Sequence, residues 1–321
     1  INSVYSPLNY HYTSKWKHLD KKQVTTFSDA GDTLTSKTTS YYYTNPAYSF
    51  SNKQRIKTSD GAYKTQIQQY PEDFPDGTPV LEEMKRKNMV KFPIESYSKK
   101  GNQVVGGKFF EYEDIDNSGT IKRKHAYLLE TTKPLPEANG TTSFTPVHLE
   151  GGMLKRDNHY AVDPNLTLSY NGDGKIKEFI KRDGIPVSYY RAYHKNYPVV
   201  KAVNVHYDDL KQAISQADKS GYNNLDEFLH SLDFFRYNLE LDEEACNRWA
   251  RFVEDVQAAF PHGRISFFTF RPMIGNTSRT TPNGKTTYFN YDGMGRLRVV
   301  KDHAGNIVRK MDYRYKSRLD K

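Results

Sequence analysis

Tyr288-Phe289-Asn290-Tyr291-Asp292-Gly293-Met294-Gly295-Arg296-Leu297, followed after two intervening residues by Val300-Lys301-Asp302-His303-Ala304-Gly305-Asn306-Ile307, reads as strand, turn, strand, turn, strand. Rings and aliphatic residues lie at strand spacing, and the Asp-x-x-Gly stretches between them tolerate the positive φ that tight hairpins demand. With Pro282-Asn283-Gly284 upstream, the turn glycines Gly284, Gly295 and Gly305 fall 11 and 10 residues apart, which is an internal repeat of short hairpins. One such hairpin cannot fold alone, whereas stacked copies bury a ladder of tyrosine rings.

Working upstream, residues 1–205 read as short strands punctuated by turns. Tyr41-Tyr42-Tyr43-Thr44, Thr65-Gln66-Ile67-Gln68 and Phe109-Phe110-Glu111-Tyr112 alternate at period two, and Asp60-Gly61, Asp76-Gly77, Asn117-Ser118-Gly119, Asn171-Gly172-Asp173-Gly174 and Asp183-Gly184 separate such segments. Leu135 to Val147 is polar and aperiodic, and is expected to be a loop or mobile excursion. Over 206–262 the period becomes helical. Leu210, Ala213, Ile214 and Ala217 form one stripe, and Leu225, Phe228, Leu229 and Leu232 a second, with Asn223 or Asn224 as cap. Asp242 caps a third helix, whose stripe is Ala245, Trp249, Phe252, Val253 and Val256, and Pro261 with Gly263 ends it. The expected organisation is a β-rich region over 1–205, an acidic helical insertion over 206–262 and hairpin repeats over 263–321. The helical stripes must cover a neighbouring sheet.

The 321 residues suffice to bury a sizeable core. Aromatic residues make up 14% of the chain, 25 of them tyrosines, which favours β structure over a helical bundle. The formal charge of +9 divides into +7 over 1–207, −7 over 208–260 and +9 over 261–321, so the acidic middle is expected to sit against basic flanks. A single cysteine, Cys246, excludes internal disulfides and cysteine-based zinc sites. No run of about 20 apolar residues makes a membrane-spanning helix. Ile1 is not a start residue, so the chain is expected to be a mature or truncated piece.

The order tyrosine, Tyr-Asp, Gly-Arg-Leu, Asp-x-x-Gly-Asn and closing tyrosines resembles the tyrosine–aspartate (YD) repeat of the RHS family. The matching positions are Tyr288, Tyr291, Asp292, Gly295, Arg296, Leu297, Asp302, Gly305, Asn306, Tyr313 and Tyr315. Degenerate copies are Tyr170 to Ile176 and Arg182 to Tyr190. The phrases around Lys87 to Val90, Asp183 to Tyr190 and Pro282 to Tyr291 are similar to RHS-like surface proteins of Bacteroidetes. The resemblance is strong over 264–316 and loose before it. It implies an antiparallel YD-repeat sheet, part of a shell or open spiral, with a small helical insertion. It also implies an extracellular, cell-surface or outer-membrane-associated location. The family's C-terminal self-cleavage motif does not occur near the end of this chain; the only Asp-Pro is Asp163-Pro164, so neither self-cleavage nor a toxin payload is expected.

A search for chemistry returns no catalytic residue, cofactor site or metal site. Asn283-Gly284-Lys285-Thr286-Thr287 imitates a phosphate loop, but its first glycine would be Arg279. Asp114-Ile115-Asp116-Asn117-Ser118-Gly119 opens like a calcium loop, yet its twelfth position is His125. A hairpin turn is expected there. His159 and His262 read as surface or loop residues, and Cys246 as a small buried hydrophobe. Arg296, Arg298, Lys301, Arg309, Lys310, Arg314, Lys316 and Arg318 alternate along strands and are expected to form a solvated face rather than a nucleic-acid site. The expected function is a non-catalytic structural scaffold, with other protein chains or the rest of its own precursor as partners. A glycan-binding or adhesive module and the carrier part of a polymorphic toxin are the alternatives.

Overall fold

A computed structural model describes residues 17–59, 61–137, 143–237 and 239–314. Among the described residues the fold is mainly antiparallel β, with four α-helices. Its contacts divide into two units, Ile1–Glu111 with Tyr127–Val162 and Tyr112–Ala126 with Asp163–Lys321.

In the first unit β1 (Lys21–Phe27), β2 (Thr33–Tyr42), β3 (Lys53–Lys57) and β4 (Tyr63–Gln69) pair in series. A short 3-10 turn, Pro71–Asp73, and helix α1 (Pro79–Arg86) follow. Next come β5 (Glu95–Lys100) on β4 and β6 (Gln103–Ile115) on β5. The strand β7 (Thr120–Leu128) precedes β8 (Leu135–Pro136), which pairs with the start of β6, and β9 (His148–Glu150) and β10 (Met153–Lys155) form a separate hairpin. Helix α1 departs from the expected run of strands. Thr78 caps it by accepting from the Leu81 amide at 3.4 Å, Pro79 opens it, and only Leu81 and Met84 are buried, too few residues for a helical period to show in the sequence.

Apart from β8, the described residues of 135–147 form the expected loop, but a packed one; 138–142 lie outside the described residues. Leu135, Phe144 and Val147 are buried, and the Phe144 ring lies 5.0 Å from Tyr97 and 6.2 Å from Tyr160. Single apolar residues set among turn formers leave no period, yet each fills the core.

The second unit continues from the outer part of the β6–β7 hairpin. Leu166↔Ala126 and Thr167↔His125 join β7 to β11 (Leu166–Tyr170). Then β12 (Ile176–Lys181), β13 (Pro186–Ala192) and β14 (Tyr197–Val203) pair in order. Helices α2 (Tyr207–Gln216), α3 (Leu225–His230) and α4 (Glu243–Ala258) intervene before β15 (Arg264–Arg271), which returns to pair with β14. The series ends with β16 (Gly275–Thr280), β17 (Thr286–Tyr291), β18 (Leu297–Lys301) and β19 (Ile307–Lys310), again in sequential antiparallel order.

The expected helix signals are all present. Asn224 accepts from the Glu227 amide at 2.9 Å, Asp242 accepts from Ala245 at 2.9 Å, and every residue of the three expected stripes is buried. The helices share one core with Val199, Val200 and Ala202 of β14, Ile265 and Phe267 of β15, and Tyr288 of β17. Beneath α4 the sheet presents small hydroxylated residues. Thr269 and Ser278 are 2.7 Å apart across β15 and β16, Thr280 and Thr286 are 2.8 Å apart across β16 and β17, and the Trp249 indole donates to Thr280 at 3.0 Å. Small side chains below bulky rings let the helix approach while the hydroxyls satisfy one another. The docking is thus apolar rather than the charge pairing suggested by the acid–base alternation of the sequence.

Candidate functional site

The repeat residues build one five-residue turn that occurs six times among the described residues: Ser28–Asp32, Thr58–Ala62, Asn171–Lys175, Thr281–Lys285, Asp292–Arg296 and Asp302–Asn306. In each, the first amide donates to the fifth carbonyl at 2.8–3.0 Å and the fourth amide donates to the first carbonyl at 2.8–3.0 Å. The fourth residue is always glycine, with φ between 74° and 89°. This is a type I turn followed by a bulge glycine. The first side chain closes it: Ser28, Asn171, Asp292 and Asp302 accept from the fifth amide, whereas Thr58 and Thr281 donate to the fifth carbonyl. The device joins β1 to β2, β3 to β4, β11 to β12, β16 to β17, β17 to β18 and β18 to β19.

The repeat motif of 288–315 is spread over turn, core and surface positions. Asp292 Oδ2 lies 2.6 Å from an Arg296 Nη, and that hydrogen-bonded ion pair holds the carboxyl below its ordinary range. Asp302 is likewise held down, first by the Asn306 side chain and then by the Asn306 amide. Gly295 and Gly305 occupy the bulge positions. The tyrosines do not form one ladder. Tyr288 is buried 5.1 Å from Phe234 in the helix-covered core, and burial raises its phenol. Tyr291, three positions on, donates to the Asn276 carbonyl at 2.9 Å. Tyr313 is exposed, donates to the Leu297 carbonyl at 2.9 Å and carries the Arg296 guanidinium 4.4 Å above its ring. Residues an odd number of positions apart on a strand face opposite sides, which separates Tyr288 from Tyr291. Tyr315 lies outside the described residues.

A close approach fixes Tyr291. A Cβ at Gly275 would lie 2.5 Å from the Tyr291 hydroxyl and 3.0 Å from Cζ. Gly275→Ala is therefore expected to cost about 1–3 kcal/mol through overpacking, and less in a Tyr291→Phe background because the nearest atom is gone. Thermal or urea unfolding of the four-protein cycle measures this, and strictly additive losses would refute the contact.

Other expected positions fall into structural roles. Asp114 Oδ2 accepts from the Gly119 amide at 3.0 Å within the β6–β7 turn, and His125 Nδ1 sits 3.2 Å from Thr167 Oγ1 on β11. Thr281 to Thr287 forms a hairpin turn leading into β17. Burial raises the Cys246 thiol on α4. Lys301 departs from the expected solvated cation face, being 8% exposed, while Lys316 and Arg318 lie outside the described residues. His262 is a loop residue whose carbonyl accepts from Asn204.

The sequence reading overlooked a polar cluster in the first unit. Glu95, fully buried, accepts from the Tyr160 hydroxyl at 2.7 Å and from the Val147 amide at 3.0 Å. Burial pushes its carboxyl up to about 7, opposed by those two donors and assisted by Asp157 and Glu137. Tyr97 donates to Glu137 at 2.7 Å, and Lys99 pairs with the same carboxylate; together they outweigh burial and hold Glu137 low. His159, read from sequence as a loop residue, has Nδ1 2.7 Å from Asp157 Oδ1, and Asp157 also accepts from the Thr145 amide. Gly107 makes room, since a Cβ there would lie 2.8 Å from the Tyr160 hydroxyl. The one available signal was Glu95 standing two residues from Tyr97, in phase with the buried face of β5.

No family model matches the sequence, and no curated protein matches it. Among solved structures, the chain aligns with a TcdB2–TccC3 complex at a TM-score of 0.31 and 9% identity, covering 90% of this chain and 15% of that one. A Photorhabdus luminescens Tc holotoxin pore aligns at a TM-score of 0.30 and 9% identity, covering 86% and 13% respectively. A porin-like protein from Bacteroides uniformis aligns at a TM-score of 0.16 and 9% identity, covering 87% and 80%.

Proposed function

We propose that this chain is a non-catalytic structural segment, a β wall of YD-like hairpins that presents a docking surface to another protein chain outside the cell or on its surface. The observation that carries this reading is the sixfold recurrence of one side-chain-closed turn joining sequential antiparallel strands. Such a device extends a sheet by addition of like units, which is the physics of repeat scaffolds. A scaffold rather than a catalyst is further supported by Glu95 and Asp157, whose carboxylates are engaged by fixed donors inside the fold. The glycan alternative draws less support from the exposed tyrosines. Tyr63 carries Arg55 at 4.0 Å, Tyr42 carries Lys53 at 5.4 Å and Tyr313 carries Arg296 at 4.4 Å, so one face of each ring is already taken by a cation.

Cross-linking mass spectrometry on the protein isolated from its source tests the proposal. The expected result is one fixed companion chain, or a covalently larger precursor, with recurrent cross-links to Lys285 and Lys310. A lone chain without cross-linked companions, or a turnover activity that persists through repurification, would overturn it.

A further inference from the structure

A cleft of about 680 Å³ in the second unit lies between the tip of the β13–β14 hairpin and α3. Its walls include Tyr190, Arg191, His194 and Lys195 from the hairpin and Glu227 and His230 from the helix. The hairpin tip is held in a costly backbone conformation. Tyr193, His194 and Lys195 have φ values of 52°, 57° and 62°, three consecutive non-glycine residues in the left-handed region. Such geometry persists only where the surroundings over-determine it, and it concentrates at functional positions.

The surroundings here are specific. Asp226 accepts from the Tyr193 amide at 2.6 Å through one oxygen and from the His194 amide at 3.0 Å through the other. Lys175 Nζ reaches the Lys195 carbonyl and the Asn196 side chain, each at 3.0 Å. Below, the buried Tyr193 ring packs edge-on to His230 at 5.1 Å, and its hydroxyl accepts from the Phe270 amide at 2.9 Å. The clamp leaves His194 and Lys195 exposed at the cleft. His230 Nδ1 is 2.7 Å from the Asp226 carbonyl, so that nitrogen carries the hydrogen and the ring orientation is fixed.

Two further features give the cleft a preference. Arg191 Nε is buried without a hydrogen-bond partner, an unmet donor on a permanently charged group. The Asp226 carboxylate is spent on two backbone amides, which leaves Glu227 as the carboxylate opposing Arg191 and Lys195. We propose that this cleft binds a small oxyanion-bearing ligand, a carboxylate or phosphate group received by Arg191 and Lys195, with His194 as a neighbouring polar group. Its volume suits a ligand of sugar or sugar-phosphate size. The inference stands apart from the scaffold reading and survives its failure.

Isothermal titration of the full chain with glucuronate and, separately, with inorganic phosphate tests it. Saturable one-to-one binding of at least one probe is expected, and the tighter probe distinguishes a carboxylate ligand from a phosphate one. Exposed Lys195→Gln should weaken it about 5-fold and Arg191→Gln about 10-fold, whereas Glu227→Gln should tighten it about 3-fold by removing the opposing charge. Changes of opposite sign from exposed residues on facing walls are not produced by a loss of folding. Absence of saturable binding of both probes at 10-fold molar excess over about 1 mM protein would overturn the proposal. Binding indifferent to both Lys195→Gln and Glu227→Gln would do the same.

Discussion

Replacing Trp249 by alanine is expected to destabilise the second unit by about 3–5 kcal/mol, the range for emptying a large aromatic site in a packed core. The side chain is 1% exposed and stacks on Phe252 at 5.6 Å, with Phe267 and Phe234 edge-on at 6.1 and 6.5 Å. These partners come from α4, from β15 and from the segment between α3 and α4, so the cavity would open at the junction of helix and sheet. Trp249→Phe should cost less, about 1–2 kcal/mol, since it keeps most of the packing and loses the indole N–H donated to Thr280. Thr280 retains Thr286 as partner, which limits the penalty for an unmet hydroxyl. Tyr237→Ala, at a fully exposed ring, should change little. Urea unfolding followed by far-ultraviolet circular dichroism reads all three. A Trp249→Ala loss below about 1 kcal/mol would mean that the helices are accessory to the sheet rather than part of its core.

The contrast between what was and was not legible in the sequence follows from periodicity. Helix α4 was readable because Asp242 and five stripe residues all serve one local geometry. The turns at Asp292 and Asp302 were readable because their closing hydrogen bonds run between residues four apart. The Ser28–Asp32 turn uses the same geometry, but serine in place of aspartate hid it until the backbone placed it with the others. Long-range partnerships had no local signature. Glu95 meets Val147 and Tyr160 across separations of 52 and 65 residues, and Tyr193 meets Asp226 across 33. Nor did charge alternation report packing, because the acidic segment meets the sheet through its apolar stripes, and the Asp226 carboxylate that reaches the β13–β14 hairpin binds backbone amides rather than a basic side chain.

The buried carboxylate gives the first unit a pH dependence whose direction is fixed by the burial of Glu95. Its value rises from 4.5 to about 7 on folding, so the folded chain binds more protons than the unfolded chain between those limits. Stability from this group is therefore full below about pH 4.5, falls as pH rises through 7 and is level above. At about 1.4 kcal/mol per unit, the loss across the window is on the order of 3 kcal/mol. Glu95→Gln should abolish most of it. The amide oxygen can accept from the Val147 amide while the amide nitrogen donates to the Tyr160 hydroxyl, which then serves as acceptor, so both partners remain satisfied. The variant is expected to match the parent near pH 4.5 and to exceed it by about 2–3 kcal/mol at pH 8. Glu95→Ala should instead be destabilising near pH 4.5, by about 2–4 kcal/mol, because the Val147 amide and the Tyr160 hydroxyl lose their acceptor inside the core. Urea unfolding of all three proteins at intervals from pH 4.5 to 8 separates these outcomes. Parallel stability curves for the parent and Glu95→Gln would show that Glu95 does not take up a proton on folding, and that the cluster joining β5 to Val147 and Tyr160 is held together by an ionised carboxylate.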